Sequence, residues 1–349
     1  MELHFARNNG LFDEAVDELI ALAEGVHHPE IVREMILASV KAGQEDPDRA
    51  DLKLMNSTLK EMRFTAKVFG PYNRTRKVTV FGSARTLADE PVYGMARDLG
   101  KKLVEAGYMV ITGAGGGIMQ AVNEGAGPEH SFGVNIRLPF EQAPNPVLQG
   151  NPRLITYKYF FNRKVAFLKE ADAIALFPGG FGTLDEAMET LTLLQTGKRA
   201  PLPLILVDEP GGEYWSRWQR FFEDELLGQG YIVRTDFNLF ERVDTVEAAV
   251  RGINRFYRRY HSLRYVEGQL VLRLSSSLQE DQIGELNDIF KDILSPGGRI
   301  SASSALPMEA DEKEAAELPR LLVDFNRKDF GRLRMLIDAI NDFPPVPPL

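Results

Sequence analysis

Hydrophobic positions follow three different patterns along the chain. Up to about residue 74, apolar residues recur at helical spacing, as Leu11, Ala15 and Leu19 do, and no run alternates apolar and polar residues. This pattern predicts a helical N-terminal region over residues 1–74, acting as a cap on the rest of the molecule or as a dimer arm.

Residues 75–260 show short apolar runs separated by amphipathic segments. The apolar runs are KVTVFG, YMVITG, FGVNIRLP, ADAIALFP, PLPLILVD and NLFERV. Each run is followed by a helix candidate, and strands that alternate with helices are typical of a parallel sheet covered on both faces. The sequence therefore predicts a Rossmann-like, doubly wound α/β domain over residues 75–260.

Residues 261–349 combine both kinds of pattern, which predicts a small α+β domain. Strands are expected at LRYVEGQLVLRL, as a hairpin, and at RISASSAL and LPRLLVDF; helices are expected at SLQEDQIGELNDIFKDIL and KDFGRLRMLIDAIND. The acidic residues 308–317 predict a solvated loop, and the proline-rich end PPVPPL predicts a frayed tail.

Composition restricts the function class. The 349 residues suit about two domains, and 44% of them are hydrophobic and can fill the cores. The net charge of −9 disfavours nucleic acids and membranes as partners, because an acidic field repels phosphates outside a locally basic pocket. The chain has no cysteine, which excludes disulfides, thiolate nucleophiles and cysteine-bound metals. It shows no apolar signal core and no apolar stretch of about 20 residues, so we expect a cytoplasmic protein.

Glycines cluster where three predicted strands end. In a doubly wound sheet, ligands bind outside the carboxyl ends of the strands, and a glycine-rich turn that opens a helix can cradle a phosphate. A tight turn is the alternative for each loop alone, but three loops at successive strand ends favour a site. The expected substrate-binding residues are Gly82, Ser83, Gly115, Gly116, Gly117, Gly179, Gly180, Gly182 and Thr183.

The spacing of these glycines argues against two common phosphate ligands. A G-x-G-x-x-G motif beginning at Gly113 would need glycine at position 118, where Ile118 stands, and a G-x-x-x-x-G-K-[ST] loop occurs nowhere. NAD and ATP are therefore disfavoured. A mononucleotide, with one phosphate for one helix N-terminus, fits better.

Four segments in order, VFGSART, ITGAGGGIMQAVNEGA, FFNRK and PGGFGTLDE, resemble the LOG family of nucleoside 5′-monophosphate phosphoribohydrolases, many of which are labelled lysine decarboxylases. The resemblance covers residues 76–260. It implies cleavage of the N-glycosidic bond of a nucleotide to free base and ribose 5-phosphate, without a metal ion or other cofactor. It also implies that Arg163 and Glu186 are the catalytic pair, and that the active site lies near the interface of a homodimer or larger homo-oligomer. Ala114 and Gly116 depart from the glycine and proline that relatives commonly carry there.

The chemistry of the reaction independently supports a catalytic role for Glu186. Breaking the bond between base and ribose builds positive charge on the sugar, so a nearby carboxylate stabilises that charge and can activate water. We expect Glu186 in the first turn of a helix over residues 184–194, whose N-terminus would hold the 5′-phosphate. Arg163, on a helix expected over residues 157–170, would orient Glu186 and contact the base or the phosphate.

Three other charged residues lie near this pair in the sequence, of which two are candidates for substrate binding and one is not. Lys164 is a candidate for substrate binding, although the helix neighbour of Arg163 points about 100° away from it. Glu189 would hydrogen-bond ribose hydroxyls or remain a solvated acid. Asp185 would only complement the helix dipole.

Apolar residues lead to two further predictions, one about binding of the base and one about assembly of the chain. Met119, Phe160 and Phe161 would stack on the base or belong to the core. Residues 187–194, AMETLTLL, carry enough apolar side chains to cover the sheet and to offer a second face to a partner chain, which predicts at least a homodimer. The alternative is that the N-terminal region covers that face.

Three other functions are compatible with parts of the pattern. A pyridoxal phosphate decarboxylase needs a Schiff-base lysine, for which Lys164 is the nearby candidate without a matching context. A non-catalytic nucleotide sensor or carrier would bind through the same loops but has no evident need for Glu186 beside the sugar. A DNA-handling protein would need a basic strip interleaved with aromatic residues, which this chain lacks.

Overall fold

The computed structural model of the protein describes residues 10–45, 48–139, 143–309 and 312–344. Contacts divide the chain into two compact units, Met1–Phe64 and Thr65–Leu349. The helices of the N-terminal part are α1 (Leu11–Leu22), α2 (Pro29–Glu45) and α3 (Arg49–Phe69). A buried ion pair joins Asp13 of α1 to Arg33 of α2. The predicted helical N-terminal extension is confirmed.

The central sheet of the second unit is parallel throughout. Its strands follow the spatial order β4-β3-β2-β1-β5-β6-β7. Their bounds are β1 (Lys77–Phe81), β2 (Met109–Thr112), β3 (Ser131–Ile136), β4 (Leu154–Tyr157), β5 (Ala173–Leu176), β6 (Leu204–Val207) and β7 (Glu241–Val243). Chain order reverses between β1 and β5, which pair from Val78 with Ala173 to Phe81 with Leu176. The predicted Rossmann-like, doubly wound sheet is confirmed.

The helices that connect these strands, together with the helix that follows β7, account for the amphipathic segments of the sequence. They are α4 (Pro91–Glu105), α5 (Ile118–Ala126), α6 (Phe160–Glu170), α7 (Phe181–Gln195), α8 (Tyr214–Phe221) and α9 (Val246–Phe256). Strands β1, β2, β5 and β6 are buried along their whole length. Because such strands contact apolar neighbours on both faces, they appear in the sequence as unbroken apolar runs.

Strand β4 shows where the hydrophobic pattern misleads. It has four residues, of which Thr156 is exposed and Leu154 half-buried, so it forms no unbroken apolar run. The pattern predicts a helix from residue 157, but Tyr157 ends the strand and α6 begins at Phe160. Pairing with β3, rather than any local preference, fixes this segment as a strand.

A second sheet follows the central one along the chain. It is antiparallel in the order β10-β11-β9-β8, built from β8 (Tyr260–Val266), β9 (Gln269–Leu274), β10 (Ile300–Ser303) and β11 (Arg320–Val323). Helices α10 (Glu280–Ile289) and α11 (Phe330–Asp342) bury Leu286, Leu336 and Ile337 against it. The predicted α+β fold of this part is confirmed, whereas the domain boundaries at residues 74 and 260 stay predictions. Across the described ranges, no helix is long and apolar enough to cross a membrane.

The acidic residues 308–317 do not form a simple solvated loop. Glu309 is buried, and its carboxylate binds Arg273 at 2.6 Å and Arg320 at 3.2 Å. Arg273 and Arg320 are register partners on β9 and β11, so two cations side by side on one sheet need a buried anion. The solvated-loop prediction is therefore wrong at Glu309. The expected frayed tail lies mostly outside the described residues.

Candidate active site

The predicted site residues meet at the carboxyl ends of β1 and β5, where chain order reverses across the sheet. A cleft of about 680 Å³ opens there. Eight of the predicted residues line it, namely Gly82, Ser83, Met119, Arg163, Gly180, Gly182, Thr183 and Glu186. The remaining predicted residues do not line it, namely Gly115, Gly116, Gly117, Lys164, Gly179 and Glu189.

Three loops build the cleft by packing on one another. The Ser83 N–H donates to Pro178 O and the Ile118 N–H donates to Ser83 O, both at 3.0 Å. A Cβ on Gly117, whose φ is +61°, would collide with Ser83 O and Ala84, and a Cβ on Gly82 would stand 2.7 Å from Ile118. These two glycines are therefore required by the close approach of one loop to the next.

Gly115, Gly116 and Gly179 support the cleft from behind. The Gly115 carbonyl accepts a hydrogen bond from Asn145 Nδ2 at 3.1 Å, and Gly116 packs near Ala84 O. A Cβ on Gly179 would collide with the side chain of Thr183. The roles of these glycines in the structure described are therefore structural.

Gly180 and Gly182 are different, because nothing in the described structure demands glycine there. Neither has a positive φ, and no described atom lies within 4 Å of where a Cβ would stand. Both line the cleft at the N-terminus of α7, where backbone N–H groups lack helical partners. They leave open space at a position suited to an anion.

Helix α7 begins earlier than the sequence pattern predicts. Gly180 is its N-cap and Phe181 its first residue, so Glu186 lies in the second turn rather than the first. The predicted start at residue 184 is wrong, because glycine usually indicates a loop in a sequence pattern, whereas an N-cap position accepts glycine readily. The rise of a helix sets the Glu186 backbone about 9 Å from the N-cap.

Glu186 is the buried acid of the cleft. Glu186 is only 6% exposed, and its Oε2 has no hydrogen-bond partner among the described residues. Burial raises the pKa of Glu186 to about 7, against the opposing charges of Lys164 and Arg163. The group therefore exchanges a proton near neutral pH, as general acids and bases do.

Arg163 is fixed next to this acid. Its Nε donates to Val134 O at 2.9 Å, and its guanidinium lies 5.0 Å from the ring centre of Phe167. A Cβ on Gly113 would stand 2.5 Å from Nη2, so that glycine makes room for the guanidinium. Burial lowers the pKa of Arg163 and the charge of Glu186 opposes this, which indicates that the two groups interact through space.

Lys164 faces the acids of α7. Its Nζ donates to Asp185 Oδ1 at 2.7 Å and lies 3.7 Å from Glu189 Oε2. Partial burial acts to lower the pKa of Lys164, but the hydrogen bond to Asp185 and the nearby carboxylates raise it overall. The prediction that Asp185 only complements the helix dipole is therefore wrong. A lysine held protonated in this way does not fit a Schiff base with pyridoxal phosphate, which needs a neutral amine.

Aromatic residues on the rim of the cleft are more exposed than the core interpretation allows. Phe160 and Phe161 are 55% and 49% exposed, so neither belongs to the core, and Phe160 lines the cleft. Sequence reasoning missed Phe181, which is 92% exposed and lines the cleft at the first residue of α7. A phenylalanine between two glycines was the available signal.

Ser83 and Met119 keep more ordinary roles. The Ser83 hydroxyl accepts a hydrogen bond from the Arg85 N–H at 3.1 Å, as expected of a residue that makes a turn. Met119 is half-buried, with its sulfur close to Gly113. Both nonetheless line the cleft, within reach of a bound ligand.

Fold and site together define a Rossmann-like α/β protein with a buried acid at the switch point of its parallel sheet. A family model described as "Possible lysine decarboxylase" matches residues 116–253. Cytokinin riboside 5′-monophosphate phosphoribohydrolase LOG of Oryza sativa subsp. japonica is 28% identical over 194 residues, which cover 54% of this chain and 76% of the relative. The probable cytokinin riboside 5′-monophosphate phosphoribohydrolase LOG4 of the same plant is 30% identical over 175 residues, covering 48% and 72%. The chain belongs to the LOG family.

Among solved structures, the molybdenum cofactor carrier protein of Chlamydomonas reinhardtii is similar over 52% of this chain and 98% of its own. The identity is 19% and the TM-score is 0.37.

Proposed function

We propose that the protein hydrolyses the N-glycosidic bond of a nucleoside 5′-monophosphate and releases the free base and ribose 5-phosphate. The observation that carries the proposal is Glu186 Oε2, a buried carboxylate oxygen without a described partner in a cleft that also contains the N-terminus of α7. A group of this kind is costly to bury, and a substrate that develops positive charge would supply the missing partner.

In this proposal the 5′-phosphate binds at the N-terminus of α7. The space beside Gly180 and Gly182 admits it, and the unpaired N–H groups and helix dipole favour a negative charge there. The ribose then extends along α7 towards Glu186. One helix therefore positions both ends of the ribose phosphate, and the phosphate holds the sugar in place for the reaction.

Glu186 acts on the sugar as the bond between the anomeric carbon and the base nitrogen breaks. Its carboxylate stabilises the oxocarbenium-like transition state and accepts a proton from the water that attacks the anomeric carbon. That proton is available to the departing base. The positively charged guanidinium of Arg163 lies beside Glu186 and the leaving base. No step of this chemistry requires a metal ion or other cofactor.

The base would lie towards the rim of the cleft. Phe160 and Phe181 offer exposed aromatic faces there, suited to stacking on a purine or on a cytokinin-type base with its substituted amino group. The names of the plant relatives support the cytokinin-type nucleotides as substrates to test first.

A panel of nucleotides tests this function. We would incubate the protein with AMP, GMP, CMP, UMP and N6-modified AMP and follow the free base by chromatography, with adenosine as the control that lacks the phosphate. We expect release from at least one monophosphate and a rate at least about tenfold lower from its nucleoside, because remote phosphate binding positions the sugar. Tight binding of nucleotides without any release would instead identify a carrier or sensor.

A further inference from the structure

We propose that Lys164 is a positioning residue: clamped by Asp185 and Glu189, it joins α6 to α7 and supplies the cation that faces Glu186 from behind. This inference rests on the proposed function, since it assigns Lys164 a part in that reaction. It also differs from the role that the sequence pattern suggests for Lys164, which is direct binding of substrate.

The described contacts of Lys164 are with acidic side chains of the protein. Its Nζ lies 2.7 Å from Asp185, which lines the cleft, and 3.7 Å from Glu189, whereas Lys164 itself, unlike its neighbour Arg163, does not line the cleft. Asp185 and Glu189 are four residues apart on α7, so they stand one turn apart on the same side of the helix. Lys164 spans them with a side chain only 21% exposed, against 57% and 42% for the two acids.

This clamp fixes the two catalytic candidates relative to each other. Arg163 and Lys164 are adjacent on α6, and Glu186 lies between Asp185 and Glu189 on α7. The hydrogen bond of Lys164 to Asp185 and its ion pair with Glu189 therefore set the spacing and rotation of α6 against α7 beside the reacting groups. A displacement of about 1 Å between catalytic groups can cost about a hundredfold in rate.

The charges around Glu186 explain why a cation is needed at this point. Arg163 and Lys164 face it from α6, Asp185 and Glu189 flank it on α7, and Arg85 lines the same cleft from the loop after β1. Of the two α6 cations, Lys164 lowers the pKa of Glu186 more than Arg163 does. Without Lys164, Asp185 and Glu189 would still flank Glu186 while Arg163 alone remained of the two α6 cations, and Glu186 would hold its proton to higher pH.

Direct titration of Glu186 tests the inference without requiring activity. We would label the glutamate carboxyl carbons with ¹³C, assign Glu186 by its loss in Glu186→Gln, and titrate wild type, Lys164→Met and Lys164→Arg. Lys169→Met is the matched control, because Lys169 is an exposed, ion-paired lysine on the same helix. If Lys164→Met does not fold, Lys164→Gln, which can still donate to Asp185, replaces it.

We expect Lys164→Met to raise the titration midpoint of Glu186 by about one pH unit or more, and Lys164→Arg to restore it. The midpoint of the control should match that of wild type. On a cleaved nucleotide, kcat at pH 7 should fall about fivefold for a one-unit shift, since the ionised fraction drops from about one half to about one eleventh. KM should change little.

Equal midpoints in wild type and Lys164→Met would overturn the inference, and so would an equal shift in the control. A rise in KM with an unchanged pH profile of kcat would overturn it as well, because it would put Lys164 in contact with the substrate. If the wild type cleaves no nucleotide, the proposed function fails, while the titration still decides whether Lys164 controls Glu186.

Discussion

Burial of Glu186 costs stability in a pH-dependent way. Its pKa is raised from 4.5 to about 7 in the folded protein, so the folded state holds this proton more tightly than the unfolded state. The associated stability is present below pH 4.5 and is lost as pH rises through 7, up to about 3 kcal/mol for a shift of this size.

Glu186→Gln should therefore stabilise the protein at high pH. We expect a clear rise in Tm over wild type at pH 8 and a much smaller one at pH 5, because glutamine needs no ionisation in a buried position. Thermal unfolding of both proteins at the two pH values measures this. An equal effect at both pH values, or a loss of stability at pH 8, would show that burial of the ionised carboxylate does not destabilise the folded protein.

At the scale of elements, α7 carries both the proposed phosphate site and the buried acid Glu186. Gly182→Ala should stabilise this helix by a few tenths to about 1 kcal/mol, since alanine favours helix and no described atom obstructs its Cβ. The same methyl group enters the space proposed for the phosphate. We expect the affinity for a nucleoside monophosphate to fall about tenfold or more, a loss of about 1.4 kcal/mol.

Gly284→Ala in α10 is the matched control for this change. Gly284 is also helical, and a Cβ added there would also meet open space. It lies in α10, which packs on the second sheet, and does not line the cleft. It should give a similar gain in Tm with unchanged nucleotide affinity by calorimetry. If Gly182→Ala binds nucleotide as wild type does, the phosphate is not at the N-terminus of α7.

The elements that could be predicted from the sequence are those with a local signal. Buried parallel strands gave unbroken apolar runs, and the strand ends gave glycine clusters. Strand β4 and the first turn of α7 lacked such signals, because one depends on pairing with β3 and the other on glycines at an N-cap. The clamp of Lys164 spans 21 residues of sequence between two helices, so spacing alone could not predict it.

At the scale of the whole molecule, the apolar surface beside the cleft supports assembly. Phe161 and Val165 are four residues apart on α6, each 49% exposed, and Phe181 is exposed at the start of α7. The sequence pattern predicts a different surface for a partner, the apolar face of residues 187–194 in α7. Two residues of that face, Met188 and Leu191, line a pocket together with residues of the 222–240 segment. A partner would therefore meet α6 and the start of α7.

We expect at least a homodimer in which this surface is covered. Light scattering at micromolar concentration should give at least twice the chain mass of 39.1 kDa. Val165→Asp should reduce that mass, because a charge in an apolar interface is costly to bury. A mass near 39.1 kDa for the wild type would contradict the dimer.

In the proposed reaction, Glu186 is required to cleave the glycosidic bond of a nucleotide bound at the N-terminus of α7. The most direct test compares wild type and Glu186→Gln on the best nucleotide of the panel, measuring free base and ribose 5-phosphate by chromatography and binding by calorimetry. We expect equal amounts of both products from the wild type. The variant should bind the nucleotide similarly but release the products about a hundredfold or more slowly. Release by Glu186→Gln at the wild-type rate would contradict the proposed reaction.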